Sequence, residues 1–308
     1  MVGDLQQFDV VVIGGGVAGL TAGLFSARLG RSTLVLESLM PGGHLGSITR
    51  VDDFPGFPEG VAGYDLGPMI QEQAANAGAE FQMAEMQSIA AAGTAWRITT
   101  SDGELEAKAV IVATGSVGRL LNVPGEERLT GKGVSHCASC DGPMLKGKKA
   151  VVIGAGDAGL QEALTLAEYV GEVLVLHPSS KASGQEAYLK RIAEQPKIRI
   201  QGDTAIEEIL GEQTVTGVRV KAGGNAGEIA ADAVFVYIGL QANTAFLKGV
   251  VDLDNDGRVC TDINMQSSAK GLFAAGDVRA QSASQAITSA GDGATAAIAA
   301  DRYLKSLN

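Results

Sequence analysis

The apolar residues of this chain gather into short unbroken runs that stop at glycine. Phe8-Asp9-Val10-Val11-Val12-Ile13 ends at Gly14-Gly15-Gly16-Val17-Ala18-Gly19, residues 20–29 then have helical composition, and Leu34-Val35-Leu36-Glu37 is apolar again. An unbroken β-branched run of this length predicts a strand buried on both faces. The segment therefore reads as strand, glycine turn, helix, strand. The same order returns 140 residues later: Lys149-Ala150-Val151-Val152-Ile153, then Gly154-Ala155-Gly156-Asp157-Ala158-Gly159, a helix over 160–169, and Leu174-Val175-Leu176-His177. Further strands are predicted at 109–115 and 233–239, each closing its unit at a glycine, and at 271–277, with a small-residue helix from about Ser282. Strands alternating with helices imply parallel sheets joined by right-handed crossovers. The predicted fold is α/β, with two Rossmann-like nucleotide-binding domains, the second inserted into the first. Residues 1–115 plus 242–308 form one domain and 118–239 the other, with crossings near 115–118 and 239–243 that can act as a hinge.

The turns carry the chemistry of phosphate binding. A lone glycine loop says little in a chain with 42 glycines in 308 residues, about double the ~7% of average usage; two copies in the same context say far more. In such turns the first glycine makes the bend, the second lets backbone touch a pyrophosphate and the third lets helix and strand pack closely, while the helix N-terminus offers aligned N–H donors. Gly14, Gly16 and Gly19 are thereby assigned to one nucleotide, and Gly154, Gly156 and Gly159 to another. Glu37, closing the second strand, is placed to accept hydrogen bonds from a ribose. In the second copy that place is taken by His177.

Composition and charge then remove whole classes of partner. With 24 Lys and Arg against 35 Asp and Glu the net charge is −11, and no basic cluster is longer than the one at 146–149, so a nucleic-acid backbone is repelled and no nucleic-acid partner is expected. No apolar run approaches the ~18 residues of a membrane helix, so no membrane span is expected. The start, Met1-Val2-Gly3-Asp4, has no basic stretch leading into an apolar one, and three cysteines cannot build the disulfide lattice of a small secreted domain. The expected setting is a reducing cytoplasm.

Two of those cysteines sit in Ser135-His136-Cys137-Ala138-Ser139-Cys140-Asp141-Gly142-Pro143. At that spacing Cys137 and Cys140 can close a small disulfide, work as a redox pair or supply half of a zinc site. The remaining Cys260, His44 and His177 stand at no ligand spacing, and no metal is expected. A redox dithiol is the better reading: the thiolate is the reactive form, and Asp141 is placed to deliver or accept the proton of each half-reaction. As a lone carboxylate in a turn, Asp141 has the alternative role of a cap. His136 has the option of lowering a thiol pKa. Cys260 reads as a small core residue of a strand and Trp96 as a strand residue of a β-meander. Residues 252–257 match the first half of a calcium loop, but Ile263 stands where a bidentate Glu is required, so this is a turn.

Taken together these motifs resemble the low-molecular-weight thioredoxin reductase family, FAD-dependent pyridine nucleotide-disulfide oxidoreductases, over nearly the whole chain. The match includes 14–19 with Glu37, Gly42-Gly43-His44-Leu45, Val51-Asp52-Asp53-Phe54-Pro55-Gly56, 137–142, 273–277 and Gln285-Ala286-Ile287-Thr288-Ser289-Ala290-Gly291. The resemblance implies a homodimer whose outer domain binds FAD, and whose inner domain carries the dithiol and a nicotinamide site and reduces a thioredoxin-like protein disulfide. It places Gly14, Gly16 and Gly19 at the FAD pyrophosphate, Glu37 at the adenosine ribose, Asp277 at the ribityl-phosphate region and Gln285, Ala286 and Ile287 along the flavin's pyrimidine edge. Gly43, His44, Leu45, Asp53, Thr114 and Gly115 complete the FAD set. Cys140 would contact the flavin, Cys137 would attack the substrate disulfide, and Asp141 would be the acid–base partner.

Departures from the family pattern matter as much. His44 stands where Gln is usual and Asp53 where Asn is usual. The family's NADPH pattern is a His followed by two Arg and, shortly after, a third; here the segment reads His177-Pro178-Ser179-Ser180-Lys181-Ala182-Ser183. NADPH remains a candidate donor, with His177 and Lys181 as the nearest nucleotide contacts. Three readings follow: a flavin-dependent disulfide reductase; an FAD-dependent dithiol oxidase using dioxygen, or a reductase fed by a ferredoxin-type donor; and a nucleotide-responsive binding protein, against which the intact pair and Asp141 argue.

Overall fold

A computed structural model describes residues 5–307; Met1 to Asp4, on which the expectation about a leader rests, lie outside the described residues. The chain divides into two compact units, one made of the residues up to Val117 together with those from Gln241, the other of Gly118–Leu240. The first unit opens with β1 (Gln6–Ile13), α1 (Val17–Arg28), β2 (Thr33–Glu37), α2 (Gly63–Asn76) and β3 (Glu80–Met83), then a meander of β4 (Met86–Ala92), β5 (Ala95–Thr100) and β6 (Gly103–Val112). β1, β2 and β3 pair in parallel, and β1 runs parallel along β6. Val10, Val11 and Val12 are fully buried, as an interior strand covered on both faces requires. Trp96 packs in the meander opposite Ala107, its indole N–H donating to the Lys270 carbonyl at 3.3 Å.

The chain leaves through β7 (Ser116–Gly118) and builds the second unit from α3 (Glu126–Leu129), β8 (Val134–Ser135), α4 (Ala138–Asp141), β9 (Lys149–Ile153), α5 (Asp157–Tyr169), β10 (Glu172–Leu176), α6 (Glu186–Ala193) and β11 (Ile198–Gln201). An antiparallel trio, β12 (Thr204–Leu210), β13 (Gly217–Ala222) and β14 (Asn225–Ala230), precedes β15 (Ala233–Val236). The parallel sheet has the order β11-β10-β9-β15-β8. One core, including Leu160, Ala163, Leu166 and Phe235, lies under α5, and another, including Ile153, Leu176, Ile209 and Val218, lies against the trio.

β16 (Leu240–Ala242) pairs with β7, and the first unit is completed by β17 (Leu272–Ala274) and α7 (Ala286–Ser306). β17 runs parallel to β6 over Val110, Ile111 and Val112, beyond the stretch of the same edge taken by β5. α7 packs on α1 through small residues: a Cβ on Gly293 would lie 2.1 Å from the Ala18 carbonyl oxygen.

Three sequence expectations need adjustment. The last helix begins at Ala286, because Gln281 and Ser284 adopt φ of 60° and 52°, outside helical backbone. The strands predicted at 109–115, 233–239 and 271–277 end at Val112, Val236 and Ala274, each ahead of a left-handed glycine, Gly115, Gly239 and Gly276. Cys260 is half-buried in an irregular connection and belongs to no strand; its N–H donates to the Asp252 carbonyl at 2.9 Å. Residues 252–257 do form a turn, with Asp254 Oδ1 accepting the N–H groups of Asp256 and Arg258. No helix among the described residues is long and apolar enough to cross a membrane.

Candidate active site

The first glycine turn links β1 to α1. Gly14 has φ +104°, and a Cβ there would lie 2.4 Å from the Ala113 carbonyl oxygen; on Gly19 it would lie 1.8 Å from the Gly14 carbonyl oxygen. Both positions thus exclude any side chain. Gly16 differs: a Cβ there would meet nothing within 4 Å, and no side chain caps the first turn of α1. Backbone donors therefore face open space, the arrangement that receives an anion. Glu37 closes the side of the turn, Oε2 accepting the Gly15 N–H at 2.7 Å and Oε1 the N–H groups of Ser38 and Leu39.

Other predicted residues collect around this helix start. Gly42 N–H donates to the Gly15 carbonyl, and Gly43 comes within 3.2 Å of Gly16 Cα at its would-be Cβ. Leu45 and Ala286 join the cluster around Val17 and Leu20. His44 Nε2 donates to the Ser116 carbonyl at 2.7 Å, and the Ser116 hydroxyl donates to Asp277 Oδ2 at 3.3 Å while Ser282 donates to Oδ1 at 3.4 Å. Gly276 seats this turn against Ala18. Thr114 and Asn243 bond reciprocally, the Thr114 hydroxyl to the Asn243 carbonyl at 2.8 Å and the Asn243 amide to the Thr114 carbonyl at 3.0 Å, next to the left-handed Gly115. Gln285 precedes the first residue of α7. Asp53 and Ile287 are exposed. Ser116, Ser282 and Asn243 carry no motif signal; only the fold joins segments so distant in sequence.

In the second turn Gly154 and Gly159 repeat the tight contacts, with Cβ positions 2.0 Å from the Tyr237 carbonyl oxygen and 2.1 Å from that of Gly154. The middle glycine is not equally open. Gly156 faces Ser183 Oγ at 3.7 Å, and the N–H groups of Ser183 and Gly184 both donate to the Ala155 carbonyl. Asp157, in the first turn of α5, accepts the Gln185 N–H at 2.7 Å and the Gln185 amide at 2.9 Å. His177 is buried with its ring against Gly202, whereas Lys181 is exposed.

Cys137 and Cys140 form a disulfide with Cα atoms 5.3 Å apart. Cys140 is exposed, and Cys137 and Asp141 are half-exposed. Cys137 N–H donates to Ser135 Oγ at 3.1 Å, and the Cys140 N–H points at Cys137 Sγ at 3.3 Å. His136 turns away, its Nδ1 lying 3.2 Å from the Val236 carbonyl oxygen. Beneath the turn Ala138 is wholly buried, and its N–H donates to Glu162 Oε2 at 3.0 Å. The Tyr237 hydroxyl donates to the same oxygen at 3.2 Å. Burial pushes the Glu162 carboxyl above its ordinary value, against the lowering effect of these two hydrogen bonds. The Tyr237 phenol is likewise pushed up, by burial and then by the Glu162 charge. Neither residue was singled out from sequence. The available signal was a carboxylate one turn before Leu166, on the buried stripe of a helix.

The family model described as pyridine nucleotide-disulphide oxidoreductase matches residues 8–294. The chain is 38% identical over 303 residues to a thioredoxin reductase of Treponema pallidum (strain Nichols), with 98% of each chain covered. It superposes on the crystal structure of Lactococcus lactis thioredoxin reductase with a TM-score of 0.95 at 34% identity, over 97% of this chain and 99% of that one. For the thioredoxin reductase of T. acidophilum the values are 0.93 and 35%, over 98% and 100%. The chain belongs to the pyridine nucleotide-disulphide oxidoreductases. Within them it is a flavin-dependent disulfide reductase of the thioredoxin reductase type, with FAD as cofactor; the oxidase and ferredoxin-type alternatives are not favoured. The residues present fit FAD: the uncapped start of α1 and the open space over Gly16 leave room for a pyrophosphate beside a carboxylate.

Proposed function

We propose that the first unit holds FAD and the second carries both the working dithiol and the nucleotide site, and that the enzyme reduces the disulfide of thioredoxin or a thioredoxin-like protein. The observation that carries this reading is the Cys137–Cys140 disulfide, on an exposed turn beside Asp141, in a chain whose relatives along its whole length are thioredoxin reductases. A homodimer working in the cytoplasm is part of the same proposal and rests on the family resemblance of the sequence motifs. Gly14, Gly16 and Gly19 receive the pyrophosphate, Glu37 the ribose and Asp277 the ribityl region, with Gly43, His44, Leu45, Asp53, Thr114, Gly115, Gln285, Ala286 and Ile287 around the rest of the cofactor.

Bound FAD supplies the relay by which an electron pair from the donor reaches a disulfide. The protein's own part begins when two electrons break the Sγ–Sγ bond of Cys137 and Cys140, leaving one thiolate and one thiol after uptake of one proton. Asp141 moves that proton at the sulfur atoms. Cys137 as thiolate then attacks the substrate disulfide, forming a mixed disulfide as the first substrate sulfur leaves; Cys140, its proton passed through Asp141 to a leaving sulfur, attacks Cys137 Sγ, re-forming the Cys137–Cys140 bond and releasing the second substrate sulfur. For the donor, Gly154, Gly156 and Gly159 keep a turn able to meet a pyrophosphate, but 177–183 offers Lys181 as its one Lys or Arg. NADPH therefore gains little over NADH at this site.

The Cys variants test the roles. Cys137→Ser leaves a thiolate at Cys140 and is expected to show a long-wavelength charge-transfer band with oxidised flavin; Cys140→Ser is not, and both lose turnover of a protein disulfide. The band appearing in Cys140→Ser instead would reverse the assignment. Asp141→Asn is expected to slow turnover about 10²–10⁴-fold. Light scattering of the purified protein checks the dimer.

A further inference from the structure

The carboxylate of Glu162 is a buried titratable group that the steps above leave unused and that no cation among the described residues pairs with. It sits on the face of α5 under the dithiol turn, 9% exposed, and one of its oxygens takes both the Ala138 N–H and the Tyr237 hydroxyl. The Ala138 nitrogen belongs to the peptide that joins it to Cys137, so the carboxylate is one peptide unit from the sulfur-bearing residue. No Lys, Arg or His among the described residues pairs with it. The titratable group that meets it is Tyr237, following β15, whose hydroxyl in turn feels the charge of Asp141 on the dithiol's own turn. A carboxylate with two neutral donors and no counter-ion is held by hydrogen bonding alone, in surroundings that favour its protonated form.

We propose that Glu162 is a positioning residue of the dithiol: it grips the Cys137–Cys140 turn through the Ala138 amide, and its charge sets the balance between disulfide and thiolate. This rests on the reading of Cys137 and Cys140 as the working pair. Reduction breaks the Sγ–Sγ bond with two electrons, which the established activity delivers, and one sulfur is left as a thiolate once the pH exceeds the lower thiol pKa. An ionised Glu162 opposes that second negative charge. Where the carboxyl is protonated the opposition disappears, so the redox equilibrium of the pair carries a pH dependence that a purely structural carboxylate would not impose.

The test equilibrates the purified holoenzyme with dithiothreitol buffers of defined ratio from pH 5.5 to 9, and reads Cys137 and Cys140 by alkylation and mass. Glu162→Gln keeps an acceptor for the Ala138 N–H and removes the charge. At pH 8 it is expected to make the pair about tenfold easier to reduce, ~30 mV for a two-electron couple, with the difference vanishing at the acid end. Tyr237→Phe, which removes one donor to the charged form, is expected to move the onset of that difference to higher pH and serves if Glu162→Gln folds poorly. Superimposable curves for wild type and both variants would overturn the proposal. The alkylation reports the pair whether or not it turns over substrate, so this outcome is distinct from failure of the dithiol reading, which shows as full turnover in Cys137→Ser.

Discussion

The two glycine turns share one backbone and differ in what surrounds it. In both, the first glycine is left-handed and the third is pressed against the first glycine's carbonyl, because helix and strand can approach closely only without side chains there. Around Gly16 the space is open and Glu37 is braced by three N–H groups. Around Gly156 the 183–185 segment folds back, an aspartate occupies the first helical turn, and the residue at the Glu37 position is a buried histidine. Tight packing is thus what the fold demands of such a turn, whereas ligand affinity lives in the less constrained middle position and its flanks. The proposed function accordingly gives the first turn to a cofactor that stays bound and the second to a nucleotide that leaves easily.

Breaking the turns one at a time separates the two roles. Gly19→Val forces a Cβ into the Gly14 carbonyl and is expected to abolish flavin binding; Gly159→Val makes the equivalent clash in the second unit and is expected to melt that unit with the flavin retained. Absorbance of the purified variants together with limited proteolysis reads both. Gly16→Val is milder for folding, since its Cβ meets no neighbour, yet it fills the proposed pyrophosphate path; full flavin occupancy in that variant would contradict the assignment of the loop. Restoring a cation sharpens the contrast from the other side. Ser179→Arg is expected to tighten NADPH about 10–10²-fold and leave NADH unchanged, since a hydrogen bond between ionised groups is worth ~1.5–3 kcal/mol. Asp157→Asn removes a negative charge beside the proposed pyrophosphate seat and is expected to tighten NADPH and NADH alike, by roughly two- to fivefold; nucleotide titration of flavin reduction measures each.

The smallest effect is on stability. The folded-state pKa of Glu162 is raised, so the folded chain holds a proton that the unfolded chain has released, and stability falls as the pH rises from the ordinary carboxyl range through the raised value. Chemical denaturation of the second unit across that range is expected to show the decline in wild type and lose it in Glu162→Gln.

Runs of Val and Ile ending at glycine made the strands and turns legible, because a buried parallel strand and a left-handed bend leave few residue choices. The dithiol turn was legible for the same reason: two thiols and a carboxylate within five residues have few other uses. The start of α7 was not, since left-handed backbone at Gln281 and Ser284 leaves no mark in residues that tolerate it only under tertiary constraint. Nor were the Ser116 link between His44 and Asp277 and the Glu162–Tyr237 pair, since Ser116, Glu162 and Tyr237 are ordinary polar residues until the fold brings them into place.

The contrast between the turns is tested most directly by anaerobic stopped-flow reduction of the flavin with NADPH and NADH at matched concentrations. Reduction by both is expected, half-saturated well above micromolar levels and with little preference between them. Saturation by micromolar NADPH with NADH about a hundredfold worse, a difference of ~2.8 kcal/mol, would contradict it and give the second turn a phosphate site that its residues do not provide.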